Sequence, residues 1–474
     1  MYICLLTIGI YFSVIIALGY FTRRIGLSFK DYIIANRSIH EIIAGISHVS
    51  AEISIGTFTV VASMIYTIGL SRLWIDLGFF VFGILSWQFL AKRLRAQTEA
   101  NNAITIPQYL ANRFGSDTIG IIASGIIIFF TTTYIGANML GLIKVISRII
   151  DIKPEVIGFS VFSTTTLYTI VGGFRSTCYT NVLQGTVMIL AALLLPLSLF
   201  LQFGTEPLTE FFRKSGAGGP ASINIGQALL YFSFASAIFG TPHTITKFLS
   251  IRSCGSISTA RNTSIALNAL IYCGIAVSAI YAIKLLPSST DSEMLLFYLS
   301  KMFSNPLVES IIVLAMIAAV MSTIDAQLVL SASCMVNDVY RYFRPNQNDI
   351  HLISVARLAN VIIGMLALLV SLIFSKSVGT LAIFSLTGLG SSIGPVILFS
   401  LYTKARSKFP VLLGLVSGAT ATILFTILNT SDIHYNMLPS LSITIVVILA
   451  SYYMTVYKRK HNNPNNRTYT LDAL

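Results

Sequence analysis

The sequence predicts an all-α, polytopic membrane protein of about thirteen transmembrane helices. Of its 474 residues 55% are hydrophobic and only 10% charged, whereas a soluble domain carries roughly a quarter charged residues. The apolar residues come in runs of about 18 to 30, such as 119–143 and 178–203, long enough to cross about 30 Å of hydrocarbon. Lysine and arginine collect on alternate sides of those runs. About 22 of the 31 lie in segments that are cytoplasmic if the N-terminus is outside, the orientation the positive-inside rule selects.

Taken in order, the spans fall near 3–21, 41–70, 73–91, 118–147, 155–173, 178–203, 222–249, 259–285, 306–337, 352–374, 377–402, 408–428 and 436–457. The first run has no basic flank before it and no small-residue cleavage site after it, so it reads as a retained helix rather than a signal peptide. Residues 458–474 read as a short, polar, disordered cytoplasmic tail.

The net charge of +13 could suggest nucleic acid, but the basic residues are spread over seven cytoplasmic segments. They read instead as topology determinants beside anionic lipid. Five cysteines, odd in number and dispersed, imply no disulfide framework, and the six histidines lack zinc-ligand spacing. There is no Gly-rich phosphate loop, nucleophile elbow or pair of catalytic carboxylates outside the membrane, so an enzyme is not expected.

Polar or helix-breaking residues inside a bilayer are expensive unless they face protein or a water-filled cavity, and three spans stand out for them. The second holds Gly45, Ser47, His48, Ser50, Ala51, Glu52, Ser54, Gly56, Thr57 and Thr59. A discontinuous helix there would free backbone carbonyls, and Glu52 would add negative charge, which together suit a hard cation that prefers oxygen ligands. The alternative is a continuous helix whose small residues permit close packing.

The seventh span contains Phe239-Gly240-Thr241-Pro242-His243. Proline removes a donor and clashes with the preceding turn, so this helix should kink or break. Four spans separate the two interrupted helices, the spacing expected of five-helix repeats that begin at spans two and seven. In the ninth span Ala319, Ser322, Thr323 and Ala326 occupy i, i+3, i+4 and i+7, one helical face. Its two hydroxyls can offer oxygens to a cation, or simply bond back to their own helix. Asp325 in the same turn favours the cation, because an intramembrane acid is a functional candidate by default.

These residues resemble the sodium:solute symporter family over nearly the whole length. The likeness is carried by Trp87-Gln88-Phe89-Leu90-Ala91-Lys92-Arg93-Leu94-Arg95 with Thr98-Glu99-Ala100-Asn101-Asn102, and by Ile106-Pro107-Gln108-Tyr109 with Asn112-Arg113-Phe114. Further blocks are Gly172-Gly173-Phe174, Gly240-Thr241-Pro242-His243 with Lys247-Phe248, and Ala318-Ala319-Val320-Met321-Ser322-Thr323. The resemblance implies a five-plus-five inverted-repeat, neurotransmitter-symporter-like core with one extra helix before it and two after. Residues 1–40 would form the first helix and a cytoplasmic loop, 41–203 repeat one, 222–402 repeat two, 408–457 two peripheral helices and 458–474 the tail.

The implied activity is sodium-coupled import of a small organic solute across a bacterial inner membrane by alternating access. Proline is the first candidate, with another amino acid or pantothenate as alternatives, and a transporter-like membrane sensor as a different class. No cofactor is expected beyond sodium as the co-transported ion, the partners being solute, sodium and lipid; no nucleic acid or obligate protein partner is implied. By resemblance, sodium would be held by backbone carbonyls of Ser50, Ile53 and Ala319 and by the hydroxyls of Ser322 and Thr323. Arg37, on the cytoplasmic approach to the second span, would act in coupling or release.

The chain also departs from the family's pattern. Glu52 stands where an aspartate is usual beside the cation site. Phe234 and Ile238 replace aromatic residues of the solute pocket, while Ser54 and Pro242 are kept. Asn181 replaces an acid that in some relatives helps to bind a second sodium, and Asp325 replaces a hydroxyl residue one turn beyond the Ser-Thr pair. Asp325 is therefore expected to supply the charge that Asn181 cannot.

Overall fold

In a computed structural model, the structure describes residues 2–22, 28–68, 73–149, 152–215, 225–287, 290–303, 305–374, 377–404, 407–428 and 436–462. Arg23, Arg24, Arg406 and Arg467, four of the basic residues assigned to cytoplasmic segments, and the tail from 463 onward lie outside the described residues. Among those residues nine helices are long and apolar enough to cross a membrane, or ten if one bent pair is a single span. The sequence predicts thirteen, and the shortfall has three local causes.

The first expected span is present as the 21-residue helix Tyr2–Thr22, of which the stretch Leu6–Thr22 is counted among the shorter apolar helices. The fifth and sixth run together as Pro154–Phe203. The seventh is interrupted. A straight helix of 50 residues would measure about 75 Å, far beyond any bilayer, and this one is not straight. Gly173 has φ 60° and ψ −160°, a conformation open essentially only to glycine. On either side of it the Tyr168 hydroxyl and the Thr180 hydroxyl reach the same carboxylate oxygen of Asp325, at 3.1 and 3.4 Å. Twelve residues of helix would part them by about 18 Å, so the chain folds back at Gly173.

The second span is two helices, Glu41–Glu52 and Thr57–Thr67, bent by 62°. Its broken centre is capped by side chains: the Ile55 N–H donates to Asn138 Oδ1 of the fourth span and the Gly56 N–H to Ser54 Oγ within the break. The seventh span begins as Ile225–Phe234, tightens into a 3-10 turn over Ala235–Gly240, passes through an extended Thr241, and restarts at Pro242–Ser250. A Cβ at Gly240 would stand 2.3 Å from the Leu389 carbonyl and 2.7 Å from Gly390 Cα, so glycine alone lets the seventh span lie backbone to backbone on the eleventh. The third span also outruns its apolar stretch, continuing as one helix through Lys92–Ala100.

The ninth span forms the axis of the bundle. Every residue from Ala315 to Cys334 is buried, as expected of a helix enclosed on all sides. The first and tenth spans instead present Leu6, Ile10, Leu358, Ile362, Met365 and Leu369 at the surface, the apolar exterior that lipid requires.

Candidate functional site

Because the second span stops at Glu52, its last carbonyls have no helical partner and turn toward the ninth span. Ser322 Oγ donates to the Ser50 carbonyl at 2.6 Å and approaches that of Ala319 at 3.1 Å. Thr323 Oγ1 lies 3.2 Å from the Ala51 carbonyl, 3.3 Å from that of Ile53 and 3.0 Å from that of Ala319. All five oxygens expected around a cation are thus gathered between the two helices, and the Ala51 carbonyl is a sixth that sequence reasoning did not name. Ser50, Ile53, Ala319, Ser322 and Thr323 are fully buried, so an ion there would exchange its water for protein oxygen, the ligand type that hard cations take.

Asp325, one turn on, is fully buried. Besides Tyr168 and Thr180 it meets the Asn181 amide, which in the orientation that satisfies its neighbours donates to both carboxylate oxygens at 3.3 Å. The backbone carbonyl of Asn181 accepts the Ser50 hydroxyl at 2.7 Å. Asn181 and Asp325, paired by the sequence reading, are therefore direct neighbours, one bond from the oxygen cluster.

Glu52 departs from its expected place. Its carboxylate turns away from the ninth span: Asn268 of the eighth span donates to Oε2 at 3.1 Å, and His48 Nδ1 stands 3.6 Å from the same oxygen. Glu52 instead lines a cavity of about 90 Å3, together with Ser54, Tyr134, Phe234, Ile238 and His243. That volume suits on the order of six to nine water-sized groups, hence a small solute. Pro242 does not line it; the ring starts the second half of the seventh span, where its missing N–H is harmless, and its neighbours Thr241, His243 and Thr244 face the cavity.

Sequence reasoning gave no site role to Tyr134, Asn138, His243 or Asn268. Asn138 and Asn268 each carried the signal used elsewhere, a polar side chain inside an apolar span. Tyr134 donates to Ser54 Oγ at 3.3 Å, which fixes the hydroxyl on the cavity wall.

Arg37 lies well apart from these groups. It is buried, and its guanidinium donates to the Thr98 hydroxyl, the Thr98 carbonyl and the Ala103 carbonyl at 3.1, 2.9 and 2.7 Å. Burial, and then the charge of Arg95, lower its pKa to about 10, which leaves it charged at neutral pH. Arg95 similarly donates to the Ile251 carbonyl at 2.8 Å. The segment before the second span is thereby tied to the end of the third, and the third to the end of the seventh.

The chain is similar to known proteins. The profile of the sodium:solute symporter family matches residues 32–418. The osmoregulated proline transporter OpuE of Bacillus subtilis is 28% identical over 458 residues, 93% of each chain. A sodium/proline symporter of Haemophilus influenzae is 28% identical over 94% of each chain. Among solved structures, a Na+-coupled sialic acid symporter superposes with a TM-score of 0.82 at 15% identity, over 95% of this chain and 97% of that one. Mhp1, a nucleobase-cation-symport-1 transporter, gives 0.58 at 11% identity over 90% and 95%. At such identities the structural likeness is one of fold, shared with inverted-repeat symporters, whereas the profile match spans most of the sequence. The chain belongs to the sodium:solute symporter family.

Proposed function

We propose that this symporter moves proline, or a closely similar amino acid, into the cell with sodium bound between the second and ninth spans. The observation that carries the reading is the convergence of the Ser50, Ile53 and Ala319 carbonyls with the Ser322 and Thr323 hydroxyls beside a cavity of solute size. One helix serves both places. Ser50, Ala51 and Ile53 supply cation oxygens and Ser54 stands on the cavity wall, so an ion that pins the break also shapes the solute site. Such differential binding is what coupling requires. The relatives named as proline transporters support proline over other solutes.

With the N-terminus outside and the C-terminus in the cytoplasm, as the distribution of Lys and Arg favours, the cavity faces outward. Its walls include Thr57, Val60, Val61 and Met64, from the outer half of the second span. On the opposite side Arg37 holds the Thr98–Ala103 turn closed. Each positive charge moved inward gains about 2.3 kcal/mol per 100 mV, so a potential of roughly 150 mV yields about 3.5 kcal/mol before any concentration term.

The test is uptake of labelled proline into proteoliposomes under an imposed inward sodium gradient, with potassium and proton gradients as controls. Accumulation above equilibrium only with sodium is expected. Binding of proline without any accumulation would mark a sensor, and accumulation driven equally by protons would remove sodium from the reading.

A further inference from the structure

Glu52 sits on the second span between the oxygen cluster and the cavity, and its geometry assigns it to the cavity. The carbonyls of its neighbours Ser50, Ala51 and Ile53 turn to the ninth span, whereas its carboxylate lies across the helix, between the cavity and a smaller chamber bounded by His48, Trp87, Ser264 and Asn268. Oε2 is served by Asn268 and faces His48. Oε1 is buried and has no hydrogen-bond partner. A buried carboxylate oxygen without a donor is strongly unfavourable, so a ligand that brings a donor to it is favoured by relief of that deficit.

The rest of the lining narrows what that ligand can be. No lysine or arginine lines the cavity among the described residues; its polar groups are Glu52, the hydroxyls of Ser54, Thr57, Tyr134, Thr241, Thr244 and Tyr272, and His243. A simple anion would meet a carboxylate and no fixed positive charge, a like-charge arrangement that excludes it. A cationic nitrogen supplies N–H donors and the opposite charge. His243 Nδ1 is the other buried polar atom of the lining without a partner; as an N–H in that tautomer it can receive the carboxylate of a zwitterion. Phe79, Phe234, Ile238 and Tyr272 offer apolar walls to a hydrocarbon ring or chain.

We propose that Glu52 recognises the solute rather than the sodium, with its free carboxylate oxygen accepting from the cationic nitrogen of a zwitterionic amino or imino acid. This rests on the symport reading for the presence of a solute in the cavity, but it selects the chemical class through one residue and removes Glu52 from the cation site.

The experiment is thermal melting of the purified full-length protein, with and without sodium, against three ring compounds of nearly one shape: L-proline (zwitterion), L-prolinamide (cation) and cyclopentanecarboxylate (anion). Proline and prolinamide should stabilise the wild type, and cyclopentanecarboxylate should not. In Glu52→Gln the half-saturating proline concentration should rise at least ~10-fold, the loss of one charge-assisted bond, while half-saturation by sodium alone stays within a factor of about three. Glu52→Asp should retain the preference for nitrogen-bearing compounds, and its ligand-free melt guards against misfolding of the neutral variant.

The proposal is overturned if the anion stabilises as well as proline, if no nitrogen-bearing compound stabilises the wild type, or if Glu52→Gln shifts sodium and leaves proline untouched. A preserved nitrogen preference with no effect of sodium would sink the symport reading and leave this one standing.

Discussion

Replacing Ser322 and Thr323 together by alanine removes the only side-chain oxygens of the proposed sodium site. Each contributes one ligand, and an interaction with a charged group is worth about 1.5 kcal/mol at the low end. The pair therefore contributes about 3 kcal/mol, or roughly 100-fold in the sodium dissociation constant. The consequence can be read without transport. At a sodium concentration 100 times its dissociation constant the wild type gains about 2.7 kcal/mol of stability; the double variant, then sitting at its own dissociation constant, gains about 0.4 kcal/mol.

The same hydroxyls also hold the Ser50 and Ala51 carbonyls, so the variant should melt lower even without sodium, by about 1 kcal/mol per bond lost. The sodium-dependent increment separates the two effects. Sodium-driven uptake should vanish while the protein still reaches the membrane. If the variant kept the wild-type sodium increment and half-saturating concentration, the oxygen cluster would not be the cation site.

Further outcomes follow from other groups. Asp325→Asn removes the acid that holds Tyr168, Thr180 and the Asn181 amide; sodium-to-solute stoichiometry and the pH dependence of uptake should change, and both remaining at wild-type values would refute the charge relocation. Moving the acid back, with Asn181→Asp in the Asp325→Ser background, should restore them. Arg37→Lys keeps a charge but cannot fork to Thr98 and Ala103; about 2 kcal/mol of stability should be lost, with uptake no better than in Arg37→Ala, as tested by melting and transport together. Gly240→Ala drives a methyl into the Leu389 backbone and should destabilise by about 1–3 kcal/mol or more, lowering both yield and melting temperature, whereas Gly125→Ala, with open space around it, should be neutral.

The interruptions were legible in the sequence because they break composition rules that lipid enforces. Glycine and hydroxyl residues crowd around Glu52, and Pro242 follows Gly240, and at both places the helix stops. The spacing of Ala319, Ser322 and Thr323 placed them on one face, and that face meets the carbonyls of the second span. The azimuth of Glu52 was not legible, because it ends a helix and the 62° bend severs the phase relation on which face arguments depend. The extension of the third span through Lys92–Ala100 escaped for another reason: these polar residues are sound helix formers, and an apolarity criterion cannot see them. The fold-back at Gly173 rests on one backbone conformation, to which the Gly172-Gly173 pair pointed only as a marker of the family.

The hinge at Gly173 has a mechanical consequence. With no linker between them, the fifth and sixth spans are joined at that end as the two arms of a V. Asp325 sits inside the V, gripped by Tyr168 on one arm and Thr180 on the other. A change of charge or ligand at this one carboxylate therefore pulls on both arms at once, and the long lever of each helix carries a displacement of fractions of an ångström at the grip to larger travel at its tips.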